Sequence, residues 1–212
     1  MKIMNTFLLC LSIQFSMLAQ KPIINPVGEY FLYGEREVGA GFMIHPDSSY
    51  QFYLSYGALD RQSSGKWKII GNEIILNSYD KSRQHFSLQK QEKIQGDGIK
   101  IIFSKTNPQM YDYLHAILIT NGQTKEEKAN KAGEIIFPNE KGDTLKLFFD
   151  WCPDKVSVFA IKESNNNNFT FTPLPSFTDI VFDELSMQLT ADELSGPLTF
   201  LDEKKLRFKK GK

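Results

Sequence analysis

From residue 27 to residue 105 the chain alternates polar and apolar residues in short runs separated by turn residues. In Tyr50-Gln51-Phe52-Tyr53-Leu54-Ser55-Tyr56 every second position is aromatic or Leu, and period two with one apolar face predicts a half-buried strand. Residues 29–33 form a similar run before Gly34, and residues 38–45 lead into the turn Pro46-Asp47-Ser48-Ser49. Lys66-Trp67-Lys68-Ile69-Ile70 and Glu73-Ile74-Ile75-Leu76 flank Gly71-Asn72, a two-residue link that predicts a tight hairpin with positive φ at the glycine. Residues 84–94 and 99–104 repeat the theme across Gln95-Gly96-Asp97-Gly98, so this part reads as an antiparallel meander.

Alternation stops at Lys105-Thr106-Asn107-Pro108-Gln109, where Asn-Pro marks a boundary. A second strand series follows over 113–120, 133–137, 144–149, 156–161, 169–172, 179–182, 185–189, 198–201 and 205–208. Apolar groups fall on alternate positions at Leu145, Leu147 and Phe149, and again at Val156, Val158 and Ala160. Residues 123–131 are charged without an apolar stripe and read as a loop or one exposed helical turn. Asn165-Asn166-Asn167-Asn168 reads as a solvated loop tip, with Asn168-Phe169-Thr170 a formal glycosylation acceptor. The Lys-rich end, residues 204–212, reads as an edge strand guarded against pairing by its lysines. The expected fold is all-β with little helix: an antiparallel meander over 20–106 followed by a β-sandwich over 107–212.

Residues 1–19 read as an export signal: Lys2 precedes an apolar run over 7–13, and the segment ends at Ala19, the expected last residue before the cut. The run is too short to span a bilayer, and no later stretch approaches the roughly 20 apolar residues that a membrane helix needs. A lipoprotein start at Cys10 is disfavoured because Leu9 precedes it where a small residue is wanted. The expected location is therefore secreted or periplasmic. Cleavage would leave Cys152 alone, a small buried hydrophobe at a strand end rather than half of a disulfide.

With 25 Lys and Arg against 25 Asp and Glu the chain lacks the basic surplus by which nucleic-acid binders hold phosphates. Its 17 Phe and 8 Tyr favour a packed β fold over disorder. His45, His85 and His115 belong to no ligand pattern, so no metal is expected. Gly39-Ala40-Gly41 lies in a strand pattern with no helix after it, which is not a phosphate loop, and no cofactor is expected. No nucleophile signature of the G-x-S-x-G kind is present.

The run Gly41-Phe42-Met43-Ile44-His45-Pro46-Asp47-Ser48-Ser49-Tyr50-Gln51-Phe52, followed by residues 65–76 with their Gly-x-Trp strand and Gly-Asn turn, resembles secreted lipocalin-like β-barrel domains of Bacteroidetes type. The amino-terminal Gly-x-Trp of true lipocalins is absent, and Gly28-Glu29-Tyr30 stands nearest to it. Residues 115–120, the Asn121-Gly122 turn and residues 132–137 are similar, more faintly, to transthyretin-like or carboxypeptidase-regulatory sandwiches. The resemblance implies a barrel and a sandwich and supplies no catalytic residue.

Tyr50, Phe52, Leu54, Tyr56 and Trp67 are expected to converge, as a packed core or as the wall of a cavity. Tyr53, on the opposite strand face, is expected in solvent next to the loop Gly57-Ala58-Leu59-Asp60-Arg61. Tyr53, Tyr56, Asp60, Arg61 and Trp67 are therefore the expected ligand contacts. The expected function is a non-catalytic binding or interaction module at the cell envelope, taking a small apolar molecule, a glycan or an envelope protein at the meander mouth. A carbohydrate- or peptide-acting hydrolase using Asp47, Asp60 or His115 is the alternative, and it requires two titratable groups in one concave site. A structural part of a surface assembly is a third reading.

Overall fold

The computed structural model describes residues 24–57, 59–198, 200 and 202–212, with the backbone only at 202–204. The expected signal segment, with Lys2, Cys10 and Ala19, lies outside the described residues. All-β architecture is what the chain adopts: sixteen strands in one closed eight-stranded barrel and two four-stranded sheets, with two short 3-10 turns, Pro108–Tyr113 and Pro175–Phe177, among the described residues. No helix of these residues is long and apolar enough to cross a membrane.

The barrel takes β1 (Gly28–Leu32), β2 (Val38–Ile44), β3 (Ser49–Tyr56), β4 (Leu59–Ile70) and β5 (Glu73–Ser78), then β14 (Leu185–Leu189), β15 (Glu193–Leu198) and β16 (Asp202–Lys210), which pairs back onto β1. Every neighbour is antiparallel to the next, so the order is up-and-down. Gly71 supplies the positive φ of 63° at the β4–β5 turn. Register places Tyr30 opposite Phe42 and Phe42 opposite Phe52, all pointing inward and nearly inaccessible. Phe42 lies 4.6 Å from the Phe52 ring and 4.9 Å, edge-on, from Phe208. The expectation that the aromatic stripe forms a packed core holds for Tyr50, Phe52 and Leu54.

The strand order redraws the sequential division at residue 106. β6 (Phe86–Glu92) and β7 (Gly98–Phe103) leave the barrel, and β14–β16 from the second half complete it. Alternation shows which face of a strand is buried but not which free edge it covers, and the edges of β1 and β5 are the ones covered here. β16 also departs from expectation: it is paired on both sides, to β1 and to β15. Leu206 and Phe208 point into the core while Lys205, Arg207 and Lys209 stay in solvent, a pattern that suits any strand with one solvated face.

The inserted residues form two sheets around one apolar core. One sheet has the order β10 (Glu134–Pro138), β7, β13 (Asn168–Pro173), β6, with β7 and β13 parallel. The other has the order β12 (Cys152–Ala160), β11 (Thr144–Phe149), β8 (Leu114–Thr120), β9 (Gln123–Lys128). Phe86, Ile101, Leu118, Phe137, Leu147 and Phe171 fill the space between them. β9 replaces the expected loop; it pairs only with β8, and its polar side chains suit an exposed edge. Asn167 and Asn168 are buried, not at a loop tip: Asn167 accepts from the Ile94 amide at 2.8 Å and Asn168 donates to Glu92 at 3.0 Å. On β12 the buried positions after Cys152 are Lys155 and Ser157, with Phe159 packed on the core, whereas Val158 and Ala160 are exposed. The His85 amide donates to Ser157 Oγ at 2.6 Å, so the connection from the barrel reaches the buried face of this strand.

The return connection is the second unexpected element. Residues 179–182 form no strand beyond a single parallel bridge between Gln62 and Asp179. Pairing of β4 with β5 ends at Gly65 and Ser78, and the returning chain fills the opening above that point. The Ile180 amide donates to the Gln62 carbonyl at 2.6 Å, and the Ser78 amide to the Phe182 carbonyl at 2.8 Å. Ile180 and Phe182 thereby enter the barrel core, with the Phe182 ring 5.3 Å from Phe52 and 5.9 Å from Tyr50. The Tyr50, Ser63 and Ser78 hydroxyls meet in a triangle of 3.0–3.1 Å contacts beside this plug. That network satisfies the buried polar atoms left by the break in the β4–β5 ladder.

Candidate functional site

The five expected ligand contacts occupy three separate places. Tyr53 points away from the core, 48 % exposed, on the outer wall of the barrel. Tyr56, Asp60 and Arg61 lie at the β3–β4 end. Tyr56 is exposed, Asp60 accepts from Ser55 Oγ at 2.7 Å, and Arg61 points inward and is buried. Trp67 lies towards the opposite end, where its Nε1 donates to the His45 carbonyl at 3.1 Å and its ring packs on the barrel core.

Around Tyr53 the outer faces of β1 to β4, with Tyr79 and Asp80 after β5 and Asp179 of the returning chain, form a groove of about 530 Å³ that reaches inward past Ser63, Ser78 and Ile180 to Phe42 and Phe52. Phe31, Met43, Tyr53 and Tyr79 supply its apolar surface, and Glu29, Gln51, Gln62, Ser64, Asp80 and Asp179 its polar groups. Gly41 makes the groove possible. A Cβ at that position would stand 2.7 Å from Tyr53 Cε1 and 2.8 Å from the Tyr30 carbonyl oxygen, so the Tyr53 ring rests on bare backbone between Phe31 and Met43. Rings held this way expose one face while their rotamers stay fixed, which lowers the entropic cost of stacking a ligand on them. The polar rim is partly tied down, since Gln62 Nε2 donates to Asp179 Oδ1 at 3.3 Å.

Titratable groups of the hydrolase reading do not share a concave site. Asp47 sits in the β2–β3 turn, where the Ser49 hydroxyl and amide hold its carboxyl below the usual carboxylate range. Asp60 is at the other end of β3, roughly 25 Å away for eight residues of strand. His115 belongs to the other unit, on β8, stacked on Phe148 with ring centres 5.0 Å apart. Its Nδ1 contacts Glu126 Oε1 at 2.6 Å and its Nε2 approaches Asp150 Oδ1 at 2.7 Å, the latter too far off line for a hydrogen bond. Cys152 is fully buried at the start of β12, and burial pushes its thiol pKa up. Among the described residues no group of three or more His, Cys, Asp or Glu is placed to hold a metal ion.

A second concavity lies where barrel and sandwich meet, and sequence reasoning missed it. Arg61 Nη1 and Nη2 donate to Asp154 Oδ1 and Oδ2 at 3.0 and 2.8 Å, and its Nε donates to the Thr178 carbonyl at 3.3 Å. Beside this fork, His85 and Lys155 line a cavity of about 510 Å³ with Lys81, Arg83, Asp183 and Phe200. One signal was present in the sequence: Lys155 and Ser157 hold alternate positions, so one face of this strand carries two polar residues in succession. Comparison with protein families, with curated proteins and with solved structures finds no match to this chain.

Proposed function

We propose that the protein is an exported, non-catalytic binding module of the cell envelope whose contact surface is the outer-wall groove at Tyr53, and that its ligand is a glycan. The observation that carries this reading is the Tyr53 ring, half-exposed and seated on Gly41 with Phe31 and Met43 beside it. A sugar presents C–H bonds on one face and hydroxyls around its edge. Aromatic faces flanked by Gln51, Gln62, Glu29 and Asp80 match both features, apolar contact for the face and acceptors for the edge. A lipocalin-like role would use the barrel interior, but Phe42, Phe52, Phe182 and Phe208 occupy that space, so we assign contact to the wall rather than to the mouth.

Calorimetric titration of the protein with a panel of soluble β-glucan, mannan and peptidoglycan oligosaccharides tests the proposal. At least one saccharide is expected to bind, with Tyr53→Ala weakening it tenfold or more at an unchanged melting temperature. Absence of binding across the panel, or equal binding by Tyr53→Ala, overturns it. No observation favours the hydrolase reading, since Asp47, Asp60 and His115 lie apart.

A further inference from the structure

Lys155 is the least settled charge among the described residues. The residue is buried, 5 % exposed, yet no carboxylate of the described residues forms an ion pair with it. Asp154, its sequence neighbour, gives both oxygens to Arg61. The other acid lining the cavity, Asp183, is engaged by Lys81. His85, 4 % exposed, contacts Ser176 Oγ at 3.4 Å through Nδ1, and Arg83 is exposed at the rim. Both acids of the lining are thus neutralised, and two cationic side chains and an imidazole remain for a space large enough to admit several heavy atoms.

An ammonium in such a place is costly unless a counter-charge joins it or it sheds its proton. Burial holds the Lys155 pKa below the ordinary lysine value, against the pull of Asp154 and a weaker one from Asp179, with Arg61 adding to the lowering. Burial and Lys155 itself hold the His85 pKa below the ordinary histidine value. Both groups would regain their charged forms beside a bound anion. We propose that the cavity between barrel and sandwich is an oxyanion site, in which Lys155, with His85 and Arg83, holds a carboxylate or phosphate group. Contacts to Lys155 come from the sandwich and those to Arg83 and His85 from the connection that leaves the barrel, so the anion joins the two units. The ligand is distinct from the glycan at Tyr53, and the two sites are independent.

Thermal unfolding of the full chain at neutral pH tests this, with sodium phosphate and sodium succinate compared with sodium chloride at matched ionic strength. A saturable rise in melting temperature with one or both oxyanions is expected, and whichever gives the larger rise identifies a phosphate or a carboxylate as the natural group. Lys155→Met should abolish the rise, and Arg83→Gln should weaken the apparent affinity threefold or more. Should Lys155→Met fail to fold, ring NMR of the wild-type protein supplies the second readout: the oxyanion should shift the His85 resonances and leave those of His45 in place. No rise beyond chloride, a rise retained in Lys155→Met, or an unmoved His85 signal overturns the assignment.

Discussion

Arg61 and Asp154, 93 positions apart, form a two-pronged ion pair that ties the barrel wall to the first residues of the sandwich's edge strand. Their side chains are unequally exposed, at 4 % for Arg61 and 41 % for Asp154, so the two halves of the pair are not equivalent. Asp154→Asn strands a buried guanidinium, which should lower stability by about 2–4 kcal/mol. Arg61→Met leaves a carboxylate that water and Lys155 can both reach, and should cost less. Urea midpoints of the two variants check the order; a larger loss for Arg61→Met would contradict it.

Phe182 fills the barrel from the side, 3 % exposed and within 6.0 Å of the Phe42, Tyr50 and Phe52 rings. Phe182→Ala should cost about 3–5 kcal/mol through the cavity it leaves. That space would be lined by rings and should stay dry, so benzene should raise the melting temperature of the variant and leave the wild type unmoved. Equal responses would place the Phe182 ring outside the core.

Tyr30 donates its hydroxyl to the Pro26 carbonyl at 2.8 Å, and burial, with a smaller push from Asp192, raises its pKa to about 12 from 10.0. A raised folded pKa gives stability that is full below the unfolded value and lost as pH climbs through the folded one. The window is therefore pH 10 to about 12, and two pKa units amount to about 3 kcal/mol. Tyr30→Phe lacks the ionising group, so its stability relative to the wild type should improve across that window. Urea unfolding of both proteins at about pH 9 and about pH 11.5 measures the change.

Cys152 is fully buried and its thiol pKa is pushed up by that burial, which withholds the thiolate that reacts with disulfide reagents. Its modification by an aromatic disulfide should proceed only as fast as the protein unfolds, and in denaturant at once. Rapid reaction of the native Cys152 thiol, located by peptide mapping, would show an open path to β12.

The turn at Gly71-Asn72 and the strands on both sides of it were legible because each depends on neighbours within a few residues. Tyr50, Phe52 and Leu54 declared their inward face by period two alone. Pairing of β5 with β14 was not legible, since nothing in Glu73-Ile74-Ile75-Leu76 names a partner more than a hundred residues on. The aromatic expectation at Tyr53 placed that ring in solvent, where it is, but could not see Phe31 and Met43 beside it, because cross-strand neighbours come from register. Arg61 was grouped with Asp60 by adjacency, yet successive strand residues face opposite ways: one is exposed and the other is buried at the junction. Lys155 was hidden by the assumption that Val156 and Val158 face inward, whereas Lys155 and Ser157 are the buried residues and His85 meets Ser157 on that face.

The hydrogen bond from the Phe182 amide to Ser78 Oγ joins positions 104 apart, the point where the chain departs from the barrel and comes back to it. During synthesis the first five barrel strands therefore wait, with one apolar face and two edges uncovered, while the whole sandwich is made. The sandwich can mature in that interval, because its strands are contiguous in the chain. Barrel closure is the late step, and the half-barrel is the species most in need of a chaperone's protection.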